Sequence, residues 1–151
     1  LSDIVINTRT NERGTYADWV ACFIDLWSAP AKNVERFMDV LSPEIRLIAP
    51  GVPLTIGHEA GRRAFRRVFK ALPDMRGDVL RWSATGDTLF IEMTFSATIG
   101  RRPVTWSNTD RFKFKNGAAV ERVAYFDPTP VRLAFLKSPR GWRQFATILW
   151  G

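Results

Sequence analysis

One cysteine, Cys22, and one histidine, His58, are all that the 151 residues hold of the two side chains most used in metal binding and nucleophilic catalysis. A lone cysteine excludes an intramolecular disulfide and any multi-cysteine metal site. His58-Glu59 looks like the start of a metalloprotease helix, but Arg62 stands where the second histidine is required, so a zinc hydrolase is excluded. With one histidine and no Gly-x-Ser-x-Gly, a serine or cysteine hydrolase triad is not expected. His58 lacks an orienting partner and reads as a cap-region or surface residue. Neither a phosphate-binding glycine loop nor a dinucleotide fingerprint is present, which argues against nucleotide-dependent chemistry; no cofactor and no metal are expected. No run approaches the roughly 18 apolar residues of a membrane-spanning helix. The opening LSDIVINTRTNERG has no apolar core followed by a small-residue cleavage site, so the expectation is a soluble, cytoplasmic protein without membrane contact.

What is present suits one globular domain: 46% hydrophobic residues and 25% charged ones leave no room for a disordered or fibrous chain. Lys and Arg number 22 against 15 Asp and Glu, a net charge of +7. Arg62, Arg63, Arg66, Arg67 and Lys70 fall between Phe65, Val68, Phe69 and Leu72, which recur at helical spacing, so they form the basic outer face of an amphipathic helix. Arg132, Lys137, Arg140 and Arg143 form a second basic group in a segment with no acidic residue after Asp127. Each group reads either as solvated surface or as an attractor of an anionic substrate or acidic lipid; no nucleic-acid motif accompanies them, and no nucleic-acid partner is expected.

Residues 1–14 are polar and aperiodic and read as a tail. Thr15 then caps a helix in which Tyr16, Trp19, Val20, Phe23, Ile24 and Trp27 recur at intervals of three and four, until Pro30. A short second helix starts at Asn33 and stops at Ser42-Pro43. A short strand over 45–49, an irregular loop at 50–53 and the basic helix from Gly57 to Pro73 follow. The second half changes period: 79–84, 89–99, 104–114 and 118–126 are rich in aromatic and β-branched residues, separated by Gly86-Asp87, Gly100-Arg101 and Asn116-Gly117. These are hairpin signals, so an α+β domain is expected, with three N-terminal helices packed on a curved, mainly antiparallel sheet. Residues 15–127 form the domain, and 128–151 a helical extension that covers a neighbour.

The turn Gly57-His58-Glu59-Ala60, the strand Thr109-Asp110-Arg111-Phe112-Lys113-Phe114 before Asn116-Gly117, and the closing Tyr125-Phe126-Asp127, in this order of elements, resemble the cone-shaped nuclear transport factor 2-like superfamily, with its SnoaL-like polyketide cyclases, ketosteroid isomerases and limonene epoxide hydrolases. The resemblance covers roughly residues 15–128 and implies a cavity inside the cone. Residue by residue, the known chemistries transfer only in part. The isomerases' aspartate before a proline on the first strand corresponds to Ala49 before Pro50, and their oxyanion tyrosine falls near Phe23, with Tyr16 two turns too early. Their second oxyanion group, an aspartic acid, corresponds to Asp110. The epoxide hydrolases' acid near the closing motif corresponds to Ala124, and their tyrosine and asparagine on the first strand to Leu47 and Ala49.

Alternation from Val104 to Phe114 points Asn108 and Asp110 inward among aromatics. Burial there disfavours the anion, so Asp110 either serves as a neutral acid or oxyanion donor with Asn108 assisting, or pairs with an indole or amide and holds the sheet. Glu92 is claimed for the interior by a gapless alignment with the epoxide hydrolases; the apolar set Leu89, Ile91, Met93, Phe95 and Ala97 instead puts it outside, and alternation is the stronger constraint. For Asp127, before Pro128, a helix-capping role is favoured. Trp19, Phe23, Trp27, Ala49, Phe65, Phe69, Trp82, Met93, Trp106 and Phe112 are the residues expected to line the cavity, where they are not ordinary core.

The expected function is binding of a small apolar, carbonyl-bearing molecule of polyketide, steroid or terpenoid type. The enzymatic form is a cofactor-independent isomerase, cyclase or dehydratase. The alternative is a non-catalytic ligand-binding or assembly module. A homodimer through the outer sheet face is expected in either case.

Overall fold

The computed structural model describes residues 10–151, with side chains from Tyr16 onward. Residues 1–9 of the expected tail lie outside the described residues. The first helix, α1 (Thr10–Ser28), starts earlier than its apolar periodicity, so Thr15 lies within it and does not cap it. A 3-10 turn at Pro30–Lys32 leads to α2 (Val34–Val40), and the chain passes directly into β1 (Leu41–Ile48). Ser42-Pro43 therefore lies inside a strand, where the β1 register shifts between Leu41 and Arg46. A two-residue strand β2 (Thr55–Ile56), which no periodicity marks, precedes α3 (Gly57–Ala71).

Four long strands follow: β3 (Arg76–Thr85), β4 (Thr88–Ile99), β5 (Arg102–Lys115) and β6 (Ala118–Tyr125). The expected turns join them. Asn116 and Gly117 both have positive φ, 52° and 77°, as a two-residue hairpin turn that matches the strand twist requires. The sheet order is β2-β1-β6-β5-β4-β3, antiparallel throughout except for the parallel pair β1–β6. That pairing needs the long return through the meander, which carries the last strand back beside the first. The fold is thus the expected α+β arrangement, with the helices on the concave face.

Two helices close the chain, α4 (Thr129–Leu136) and α5 (Pro139–Trp150). Asp127 Oδ1 accepts from the Thr129 amide at 2.9 Å, a bond that lowers its pKa and turns the chain into α4. Gln144 ties α5 down: its Nε2 donates to the Ala71 and Thr98 carbonyls, and its Oε1 accepts from the Gly100 amide at 2.7 Å. The α4–α5 pair thereby rests on the end of α3 and on the β4–β5 turn. His58 Nε2–H donates to the Leu41 carbonyl at 2.8 Å and fixes the start of α3 on β1, a structural task.

Alternation holds along β4 and β5. Leu89, Ile91 and Met93 are fully buried, while Glu92 faces outward and pairs with Arg81 at 2.7 Å. The concave face divides in two. Over β3, β4 and the far end of β5, α1 fills the space with aromatics: Trp19 stacks on Phe23 at 5.2 Å, and both meet Phe112 edge-on. Gly77 belongs to this layer, because a Cβ there would overlap Met93 and Phe95. Over β1 the covering helix is α3.

The turn between α3 and β3 is held by Asp74, whose carboxylate accepts from the Thr98 hydroxyl at 2.6 Å and from the Thr98 amide. Those bonds, the hydroxyl's first, hold its pKa below the usual 3.8. A depressed carboxyl contributes stability that is complete above its unfolded value and is lost as pH falls through the folded one. Asp74→Ala is therefore expected to lower stability at neutral pH by up to about 1 kcal/mol, since the group is largely solvated. In urea denaturation the gap to the wild type should close below pH 3.8; a gap that persists there would assign the loss to packing.

Candidate functional site

A cavity of about 490 Å³ occupies the open half of the cone. Its walls are the ends of β1, β5 and β6, the loop between β1 and β2, one face of α3, and the inner faces of α4 and α5. The volume is in the range of small-molecule sites, and the lining is mostly aliphatic and aromatic.

Of the residues expected at the cavity, Trp27, Ala49, Phe65, Phe69, Trp106 and Asn108 line it. Trp19, Phe23, Met93 and Phe112 do not. They fill the half of the cone under α1, where the rings close on one another and leave no space. Trp82 does not line it either, because the sheet order places β3 at the edge opposite β1. Asp110 is absent from the wall and lies one contact behind it. Phe135, Phe145 and Ile148 of the closing helices line it and went unassigned in sequence, since nothing local says which neighbour a terminal helix covers.

Behind the wall the chemistry is concentrated on two strands. Asp110 has 0% and Asn108 2% of its surface exposed, and Asn108 Nδ2 donates to Asp110 Oδ1 at 2.9 Å. Phe112 is the register partner of Arg122 and Asp110 that of Ala124, so the inward Arg122 side chain reaches diagonally to Asp110. Arg122 Nη2 lies 2.9 Å from Asp110 Oδ2, an ion pair between side chains 14% and 0% exposed. Its geometry falls outside that of a hydrogen bond, and Oδ2 has no hydrogen-bond partner. The expected isolated acid among aromatics is thus the anionic half of an ion pair. Arg122 is the residue missed in sequence. The signal was there, since an inward Ala124 puts Arg122 inward by period two.

The Arg122 guanidinium lies 5.7 Å from the centroid of the Trp27 ring, close enough for a cation–π contact. Trp27 Nε1, Arg122 Nε and Asn108 Oδ1 are all buried without a hydrogen-bond partner, and all three side chains line the cavity. Buried polar atoms in folded proteins are nearly always paired, and each unpaired one costs about 1–3 kcal/mol. Two donors and one acceptor are in this condition, covered by their neighbours, on side chains that border the cavity. No acidic, histidine, cysteine or tyrosine side chain lines the cavity among the described residues. No group of three or more potential metal ligands converges among them, and no helix there is long and apolar enough to cross a membrane.

The model of the SnoaL-like domain family matches residues 20–122. Among solved structures, the chain is similar to a putative SnoaL-like polyketide cyclase from Jannaschia sp. CCS1, with 16% identity, TM-score 0.76, and 89% of this chain and 100% of that one covered. It is also similar to an LEH-like epoxide hydrolase from M. tuberculosis (17% identity, TM-score 0.66, 88% and 96% covered). A third similar structure is TerC co-crystallised with polyporic acid (18% identity, TM-score 0.66, 80% and 95% covered). These likenesses show the fold. No protein of curated function matches the chain.

The ion pair makes a stability prediction. Asp110→Asn keeps the shape but strands the Arg122 charge, and is expected to cost about 3 kcal/mol in urea denaturation. Asp110→Leu combined with Arg122→Met removes both charges and should recover most of that loss. A double variant as unstable as the single one would show that the charges are not its source.

Proposed function

The chain belongs to the SnoaL-like domain family, and from that premise we propose that its cavity takes up a small apolar molecule carrying a carbonyl oxygen. The observation that carries this reading is a mostly apolar cavity bordered by Trp27, Asn108 and Arg122, each holding a covered polar atom without a partner. In the proposal a small side-chain shift on binding lets Trp27 Nε1 and Arg122 Nε donate to the guest's oxygen and Asn108 Oδ1 accept from a neighbouring hydroxyl or enol. Flat polyketide, steroid or terpenoid skeletons suit the aromatic lining of Trp27, Phe65, Phe69 and Trp106. The co-crystal of TerC with polyporic acid supports the choice of a small organic guest for this fold.

In the catalytic form of the proposal, Arg122 and Trp27 stabilise the negative charge that develops on the carbonyl oxygen as a neighbouring C–H is lost. The reaction is an isomerisation, cyclisation or dehydration by proton transfer, without a cofactor. Asp110 holds Arg122 and Asn108 in place from behind the wall, and in this form of the proposal the proton leaves the C–H to water in the open cavity and is returned from it. That no acidic side chain lines the cavity among the described residues supports the second reading, a binding protein that does no chemistry. A cytoplasmic homodimer through the outer sheet face remains part of the proposal. The exposed Phe90 and Tyr125 on that face support it.

Arg122→Lys preserves the charge opposite Asp110 and removes the Nε donor. It is expected to weaken binding of a steroid-type ketone at least about tenfold, the value of a hydrogen bond from a charged donor. Binding of the hydrocarbon of the same skeleton should not change. Quenching of tryptophan fluorescence measures both, and equal losses for the two ligands would remove Arg122 from carbonyl recognition. Deuterium exchange next to the carbonyl of the bound ketone, followed by NMR, separates the two readings: exchange supports proton transfer, and binding without exchange supports the non-catalytic module.

A further inference from the structure

Four arginines line the cavity, Arg63, Arg67, Arg122 and Arg132, with no carboxylate among the lining residues described. Two of them have their charge met. Arg63 lies 3.2 Å from Glu59, and Arg122 2.9 Å from Asp110. Arg67 on α3 and Arg132 on α4 have no ion-pair or hydrogen-bond partner for their side chains among the described residues, although Arg62 and Arg66 on the same helix are both taken up by Glu35. Arg67 is half-buried and Arg132 exposed, as expected of groups at a rim where cavity meets solvent.

Arg132 lies against the loop between β1 and β2. Its guanidinium lies directly over Gly51, and a Cβ at that position would overlap Nη2. Gly51 also has φ of +76°, a conformation that other residues rarely adopt. The Arg132 side chain thus crosses the loop between β1 and β2 at the edge of the cavity. A cleft with low-dielectric walls and charge of one sign concentrates its field on whatever enters. Here two guanidiniums without an ion-pair partner among the described residues border the cavity, and a guanidinium's planar fork of donors suits carboxylates.

Resting on the reading that the cavity takes a small apolar molecule, we infer that this molecule is an amphipathic acid. Its apolar skeleton occupies the aromatic interior, and its carboxylate is held at the rim by Arg67 and Arg132. Arg122 remains for the carbonyl inside. The two rim arginines then determine specificity: they select acids over the corresponding esters, alcohols and hydrocarbons.

Two fluorescent probes with one skeleton test this, anilinonaphthalenesulfonate, which is anionic, and phenylnaphthylamine, which is neutral. Both should bind, the anionic one more tightly. Arg67→Gln with Arg132→Gln should weaken the anionic probe about tenfold or more, the value of a charge-assisted contact, and leave the neutral one unchanged. Added salt should reduce the preference in the wild type and not in the variant. An aromatic carboxylic acid should displace phenylnaphthylamine better than its methyl ester does, again only with both arginines present. Arg101→Gln with Arg140→Gln, outside this cavity, serves as the control. Equal binding of the two probes in the wild type, equal losses of both in the rim variant, or the same loss in the control would overturn the inference while leaving the cavity reading standing. Failure of either probe to be displaced by a neutral ketone would overturn the cavity reading, and this inference with it.

Discussion

A carboxylate with no exposed surface persists inside a protein only where counter-charge and hydrogen bonds meet it, and everything distinctive about this interior follows from how Asp110 is met. Asn108 donates to one oxygen and Arg122 approaches the other. Replacing such a pair with well-packed apolar residues commonly leaves stability unchanged or raises it. The pair is therefore a poor device for stability alone. Its arrangement makes more sense as a mount: Asp110 sits behind the wall, and the two residues it holds, Asn108 and Arg122, are the ones that reach the cavity.

The cone is asymmetric for a reason of packing. Under α1 the aromatic rings of Trp19, Phe23 and Phe112 close on one another at 4.8 to 5.5 Å, and that half is solid core. Under α3 the corresponding space is left open and is closed from outside by Phe135, Phe145 and Ile148 of the C-terminal helices. Gln144 secures those helices with three hydrogen bonds to backbone at the ends of α3 and β4.

The kinship with SnoaL-like proteins fixes the scaffold and leaves the chemistry to the site. The resemblance to ketosteroid isomerases and epoxide hydrolases sets Ala49, Phe23, Leu47 and Ala124 at the positions where it would imply catalytic groups, and Asp110 at one more. Three of these, Ala49, Leu47 and Ala124, line the cavity and contribute shape rather than reactivity. The polar side chains at the cavity are instead Trp27, Asn108, Arg122 and the rim arginines, the set on which the proposed recognition of oxygen rests.

What the sequence by itself determined is whatever depends on neighbours along the chain. Period-two alternation put Asn108 and Asp110 inside and Glu92 outside, Asn116-Gly117 placed a hairpin, and helical spacing gave α3 its basic face. Tertiary structure alone decided which inward residues meet one another. Arg122 reaches Asp110 through the register of β5 on β6, set by a turn and a bulge rather than by either strand. The division of the aromatics between solid core and cavity wall was equally out of reach, because Trp19 and Trp27 share one helix and one periodicity. They differ only in whether the layer opposite is sheet already filled or space that the last two helices enclose.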